Sequence, residues 1–179
     1  MKNKVKTNIS LIGFMGTGKT TVGRIVAERL NKRFIECDDF IVKKAGKSIP
    51  EIFALDGEIA FRELEIQVMK EIQDENNCVF STGGGVVLNN INVLYMNKSS
   101  VVICLVARPD VIYKRIMNEG KEKRPLLAKP DPMAEIVRLL EFRKPFYAAA
   151  TNLLIDTSNL PIEDVVDKVI ELYQNNCQE

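Results

Sequence analysis

Histidine is absent from this 179-residue chain. Without an imidazole, any general base must be a carboxylate, lysine, tyrosine or cysteine. Zinc loses its commonest nitrogen ligand as well. The four cysteines (Cys37, Cys78, Cys104 and Cys177) are scattered and form no C-x-x-C pair, which argues against a zinc site. Cys78 and Cys104 lie in apolar runs and read as buried fillers in a reducing cytosol. An excess of one charge is missing too: 25 basic residues face 24 acidic ones, leaving a net charge of +1. No global field exists to recruit nucleic acid or an anionic membrane. Long apolar runs are lacking, and no stretch approaches the roughly 20 residues of a membrane span. The run near the N-terminus is too short for a signal-peptide core. These absences predict a cytoplasmic protein that binds neither nucleic acid nor membrane. Balanced charge without an exposed apolar stripe predicts a monomer. No repeat, low-complexity tract or linker divides the chain, so residues 1–179 read as one domain.

Glycine is concentrated where it matters. Gly13-Phe14-Met15-Gly16-Thr17-Gly18-Lys19-Thr20 follows the apolar run Ile9–Ile12 and leads into Val22, Ile25, Val26 and Leu30 at helical spacing. Strand, glycine-rich loop, Lys-Thr and helix are the context of a P-loop. The glycines let backbone N–H groups turn inward around phosphate oxygens, and the helix N-terminus adds its positive end. Gly13, Gly16, Thr17, Gly18, Lys19, Thr20 and Thr21 are therefore the candidate ATP-binding residues. Lys19 is expected to reach the β- and γ-phosphates, and the Thr20 hydroxyl to ligate Mg²⁺.

Further apolar runs at 33–36, 78–81, 101–106 and 153–156 alternate with helical patterns. Each run is apolar almost throughout, which predicts an α/β fold with a parallel five-stranded sheet covered on both faces, three layers in all. A short helix is expected at 91–96, and Lys144-Pro145 is expected to break or kink the helix that begins at Met133. Residues 118–132 combine prolines, basic side chains and little periodicity, and read as a mobile loop.

Ligands on such a sheet bind beyond the carboxyl ends of the strands. Asp38, at the predicted end of the second strand, is placed to orient a hydroxyl or accept its proton. Glu36, two residues earlier, is placed to help hold Mg²⁺, through water. Gly83-Gly84-Gly85 follows the third strand, where three consecutive glycines permit close approach to the backbone. No Walker-B aspartate ends that strand; Ser81 and Thr82 stand there, which argues against switch GTPases and motor ATPases. Arg62 and Glu65 lie one helical turn apart, so that Glu65 can hold Arg62 against an anion. Arg143 is a second candidate anion clamp, and Arg124 a loop cation able to close over phosphates. These residues describe a P-loop kinase for a small, anionic, hydroxyl-bearing acceptor. A nucleoside monophosphate kinase, a gluconate-type kinase and a non-catalytic nucleotide-binding module all remain open at this point.

The P-loop GFMGTGKTTVGR, the E-C-D around Asp38, FRELE (61–65), STGGG (81–85), RPLL (124–127) and FRKPFY (142–147) occur in the order of the shikimate kinase family, which the chain resembles. The resemblance implies a fold like that of nucleoside monophosphate kinases, with a substrate-binding helical region at about 34–62 and a lid at 118–132. It implies transfer of the ATP γ-phosphoryl to the 3-hydroxyl of shikimate, within aromatic amino-acid biosynthesis. It gives Asp38 the reacting hydroxyls, Arg62 and Arg143 the carboxylate, Gly83, Gly84 and Gly85 the ring, and Arg124 the phosphates from the lid. Lys19 and Thr20 match the P-loop lysine and Mg²⁺ ligand, and Arg115 matches an arginine near adenine. One departure is Glu36, where family members often carry aspartate.

Overall fold

The computed structural model describes residues 5–119, 125–127 and 129–177. Five strands, β1 (Asn8–Ile12), β2 (Arg33–Glu36), β3 (Cys78–Ser81), β4 (Ser100–Val106) and β5 (Leu154–Asp156), form one sheet in the order β2-β3-β1-β4-β5. Every pairing is parallel. Among the described residues the α-helices are α1 (Lys19–Arg29), α2 (Cys37–Ala45), α3 (Ile49–Leu55), α4 (Gly57–Ile72), α5 (Asn90–Ser99), α6 (Pro109–Glu119), α7 (Pro132–Ala150) and α8 (Ile162–Asn176).

Period-two alternation sorts the strand residues between two cores. Ile9, Leu11, Val101, Ile103 and Leu105 pack with α1 and α8. Ile12, Phe80, Val102 and Cys104 point the other way, toward Phe61 and Val68 of α4, Met96 of α5 and Tyr147 of α7. Both faces are thus covered, which is why the inner strands β1, β3 and β4 are buried almost throughout while the edge strands β2 and β5 are not. The resulting sheet has β1 at its centre, so the P-loop leaves from the middle of the carboxyl edge. Among the described residues no helix is long and apolar enough to cross a membrane.

Three expectations change. Helix α5 spans Asn90–Ser99, longer than 91–96. Asn89 caps it by accepting from the Ile91 N–H, and the helix buries Asn92 and Ser99 beside Met96, so its inner face carries little apolar signal. Helix α7 is not broken at Pro145: it runs from Pro132 to Ala150 with the proline inside. The intrahelical bond that Pro145 cannot donate is offset by the apolar burial of Ile136, Leu139, Tyr147 and Ala150 along the same helix. Finally, the 118–132 segment is not loop throughout. Pro125–Leu127 forms a 3₁₀ turn, and Leu127 is buried with Phe14, Ile112, Ile116, Ile136 and Leu139. Arg124 lies outside the described residues.

Candidate active site

The P-loop is locked to the sheet at its first glycine. Gly13 has φ 136°, and a Cβ there would lie 2.1 Å from the Leu105 carbonyl oxygen of β4. Only glycine accepts both the left-handed backbone and that contact. Lys19 is buried and donates through Nζ to the carbonyls of Gly13 at 2.8 Å and Phe14 at 2.9 Å. Thr17 Oγ1 donates to Phe14 O at 2.8 Å. Gly18 precedes α1 and supplies no side-chain cap, and no acidic residue sits in the first turn. The leading N–H groups of α1 are therefore left without a side-chain cap at the cavity that Gly18, Lys19, Thr20 and Thr21 line, as an anion site requires. That cavity, about 310 Å³, is lined by Gly16, Gly18, Lys19, Thr20 and Thr21 on one side and by Glu36, Asp38 and Ser81–Gly84 on the other.

Arg115, from α6, donates to Gly16 O at 3.1 Å and to Thr157 Oγ1 at 3.0 Å, and its second nitrogen donates to Thr157 O at 2.8 Å. Thr157 Oγ1 in turn donates to Thr17 O at 3.1 Å. Thr157 therefore ties the segment after β5 to the P-loop. Sequence reasoning missed it, although its place just past a strand end marks it for questioning.

Opposite the P-loop lysine, Thr20 Oγ1 and Ser81 Oγ lie 3.3 Å apart. Thr82 is committed elsewhere, donating to Leu11 O at 2.9 Å. Glu36 stands beside Thr20 and Ser81. Burial raises its carboxyl above the ordinary value, the two hydroxyls oppose this, and the Asp38 charge adds to the rise. Glu36 Oε2 is buried with no hydrogen-bond partner among the described residues. Two hydroxyls and a buried, unsatisfied carboxylate oxygen are a hard, oxygen-only donor set of the kind Mg²⁺ takes.

The structure moves Asp38 from the strand end into the first turn of α2, because helix begins at Cys37 directly after β2. It does not act as the cap; that position belongs to Glu36. Asp38 lines both the P-loop cavity and a second one beside it. This second cavity has Ile49, Phe53 and Phe61 as apolar walls and Arg62, Glu65, Arg143 and Gly83–Gly85 as its polar side.

Neighbouring groups crowd all three glycines of the triplet, the backbone N of Met15 lying 3.2 Å from a Cβ on Gly84. A Cβ on Gly85 would lie 2.4 Å from the Arg62 guanidinium, and one on Gly83 would lie 2.9 Å from Glu65 and 3.1 Å from Asp38. Tyr147 Oη donates to Gly84 O at 2.5 Å and so fixes the middle of the turn. Burial pushes the Tyr147 hydroxyl well above its usual range, against the pull of Arg143, so it stays a donor. Tyr147 was not among the site residues expected from sequence.

Arg143 is 2% exposed, and its Nε has no hydrogen-bond partner among the described residues. Its guanidinium lies 5.4 Å from the centre of the Phe14 ring, which joins it to the P-loop. Burial lowers its pKa, and the charge of Arg62 lowers it further against the Tyr147 contact. A buried cation with an unsatisfied donor beside a second cation is a site that an anion completes.

Glu65 is 3% exposed and accepts from Arg62 Nη1 at 3.0 Å. Burial pushes its carboxyl up to about 7, helped by the Asp38 charge and opposed by Arg62 and Arg143. A carboxyl raised above its unfolded value favours folding in its protonated form, so this contribution is present below about 4.5 and is lost as pH rises toward 7. Glu65→Gln is therefore expected to gain stability relative to the unaltered protein between pH 5 and pH 8. Urea unfolding of both proteins at the two pH values checks the sign, and a relative loss would contradict it.

A family model described as "Shikimate kinase" matches residues 15–174. A shikimate kinase from Caldanaerobacter subterraneus is 48% identical over 166 residues, covering 93% of this chain and 95% of that protein. One from Symbiobacterium thermophilum is 40% identical over 167 residues, covering 93% and 96%. The solved structure of the Acinetobacter baumannii shikimate kinase in complex with shikimate superposes with a TM-score of 0.89 at 33% identity, covering 96% of this chain and 95% of that one.

Proposed function

The chain belongs to the shikimate kinase family, and from that premise we propose that it transfers the γ-phosphoryl group of ATP to the 3-hydroxyl of shikimate, in aromatic amino-acid biosynthesis. The observation that carries the residue assignment is the place of Asp38, at the junction of the phosphate-binding and arginine-lined cavities. Gly13 to Thr21 and the N-terminus of α1 bind the phosphate chain, with Arg115 and Thr157 closing the loop from the nucleotide side. Lys19 Nζ exchanges its carbonyl partners for phosphate oxygens and stabilises charge on the transferring group. Arg62 and Arg143 take the carboxylate of shikimate, a bidentate partner for a planar guanidinium. Gly83–Gly85 and the apolar side chains of Ile49, Phe53 and Phe61 enclose its ring. Asp38 then orients the 3-hydroxyl toward the γ-phosphorus and accepts its proton.

Thr20, Ser81 and Glu36 would hold Mg²⁺, with Glu36 acting through water; the ion, when bound, neutralises charge on the β- and γ-phosphates. The longer arm of Glu36 keeps the charge that aspartate supplies elsewhere in the family. Arg124 remains our assignment for a lid cation over the phosphates. We assign the protein to the cytoplasm, as a monomer, with ATP and shikimate as its ligands.

A coupled ADP-release assay over shikimate, AMP and gluconate tests the reading. Shikimate is expected to give Mg²⁺-dependent ADP release and the other two none above the ATPase background. A preference for AMP or gluconate would overturn the acceptor assignment.

A further inference from the structure

Helix α4 holds Arg62 from both sides. Nη1 donates to Glu65, three residues on, and Nη2 donates to Glu58 Oε1, four residues back, each at 3.0 Å. The spacing stacks all three side chains on one helix face. The two carboxylates are not equivalent. The Glu65 side chain is 3% exposed and belongs to the cavity wall, whereas Glu58 is 49% exposed and reaches in from the solvent edge. The Glu58 charge also acts on Arg143, where it favours the protonated guanidinium against burial and against Arg62. Glu58 thus presents a carboxylate to the same two cations that are assigned to the carboxylate of the substrate.

We propose that Glu58 is a stand-in for the acceptor's carboxylate: it occupies Arg62 Nη2 in the free enzyme and yields that nitrogen when the acid binds. The inference rests on the shikimate reading and deepens it. Two guanidinium groups close together and largely buried repel one another, and a nearby carboxylate offsets that repulsion. A fixed, buried carboxylate would do this too strongly and exclude the substrate. An exposed partner one turn away is weakly held, so exchange is easy. Glu58 competes with any ligand that keeps the carboxylate. The phosphorylated product keeps it, so the same residue promotes product release. Glu58 is therefore a positioning residue that sets the affinity of the acceptor site from outside its wall.

Glu58→Gln preserves shape and removes the charge. The expected result is a KM for shikimate lowered about two- to fivefold, the range of an exposed ion pair, with kcat changed by less than about twofold. Product inhibition by shikimate 3-phosphate should tighten by a similar factor. Inhibition by shikimate methyl ester, which lacks the anion, should not change. The gain should shrink as ionic strength rises, and it should vanish when Arg62 is replaced by alanine in the same chain. A raised KM would mean that Glu58 orients Arg62 for the substrate, and an unchanged KM would mean that the contact has no bearing on binding; either overturns the proposal. A matching gain in affinity for the methyl ester would also overturn it, since the competition is for the carboxylate. If the unaltered enzyme releases no ADP with shikimate, the functional reading fails first, and this inference falls with it.

Discussion

Asp38→Asn is expected to lower kcat by about two to four orders of magnitude, the range for loss of a positioned general base, with little change in the KM for ATP. Asparagine keeps the size and planarity of the side chain, so the crowding against Gly83 is retained. What it loses is the negative oxygen that we assign to accept the hydroxyl proton. Stability should not fall in parallel. The Asp38 charge pushes up the carboxyls of Glu36 and Glu65, and burial pushes both in the same direction. Removing the charge relieves that repulsion, so any fall in melting temperature should be small beside the fall in kcat. Steady-state kinetics and thermal melts of the same preparation separate the two effects. A variant that keeps nearly full kcat would remove Asp38 from the chemistry. One that loses both activity and melting temperature would make it a structural residue.

Arg143→Met should act on binding. Truncating one partner of a buried, hydrogen-bonded charge pair costs about 2–5 kcal/mol, so kcat/KM for shikimate is expected to fall by roughly 30- to 5,000-fold. The KM for ATP should stay within a small factor, because Arg143 meets the P-loop through the face of Phe14 and makes no hydrogen bond to it. Methionine suits a helix interior and can fill the space along Phe14. It also removes a buried cation whose Nε has no protein acceptor among the described residues. Replacing such a charge by an apolar side chain is often neutral or stabilising. A variant that binds the acceptor poorly but unfolds no more easily would identify Arg143 as a residue kept for its ligand. Loss of folding without selective loss of acceptor binding would identify it as part of the core instead.

The parts of the molecule that could be read from sequence are those that local chemistry dictates. The P-loop announces itself because phosphate binding needs glycines and Lys-Thr at fixed spacing between a strand and a helix. The strands announce themselves because a sheet covered on both faces needs unbroken apolar runs. Ser48 and Glu51 mark a helix start, and the structure has both halves of their capping box. Helix α5 was under-read because part of its buried face is polar. Helix α7 was cut short because proline is a local signal, whereas the burial of Tyr147 and Ala150 that carries the helix past Pro145 is a tertiary one.

The site divides in the same way. Lys19, Asp38, Arg62 and Arg143 were singled out from motif and charge, and the structure has them lining the two adjacent cavities. The glycine triplet was recognised as a place of close approach, but the approaching groups include the protein's own Arg62, Glu65 and Asp38 as well as any ligand. Tyr147, Thr157 and Glu58 acquire meaning only when α7, the segment after β5 and the outer face of α4 are set against the cavities they serve. Nothing around Glu58 distinguishes it from an ordinary helix residue, whereas Thr157 stands just past a strand end and Tyr147 closes the FRKPFY segment.

The closure of Gly13 against β4 has a genetic consequence. Every single-base missense change in a glycine codon installs a residue with a Cβ. At position 13 that atom would meet the Leu105 carbonyl oxygen, a backbone group in the middle of the sheet that has no rotamer to swing aside. Alanine, the smallest such residue, already meets that oxygen. The codon can drift silently at its third base, but it offers selection no graded series of weaker enzymes.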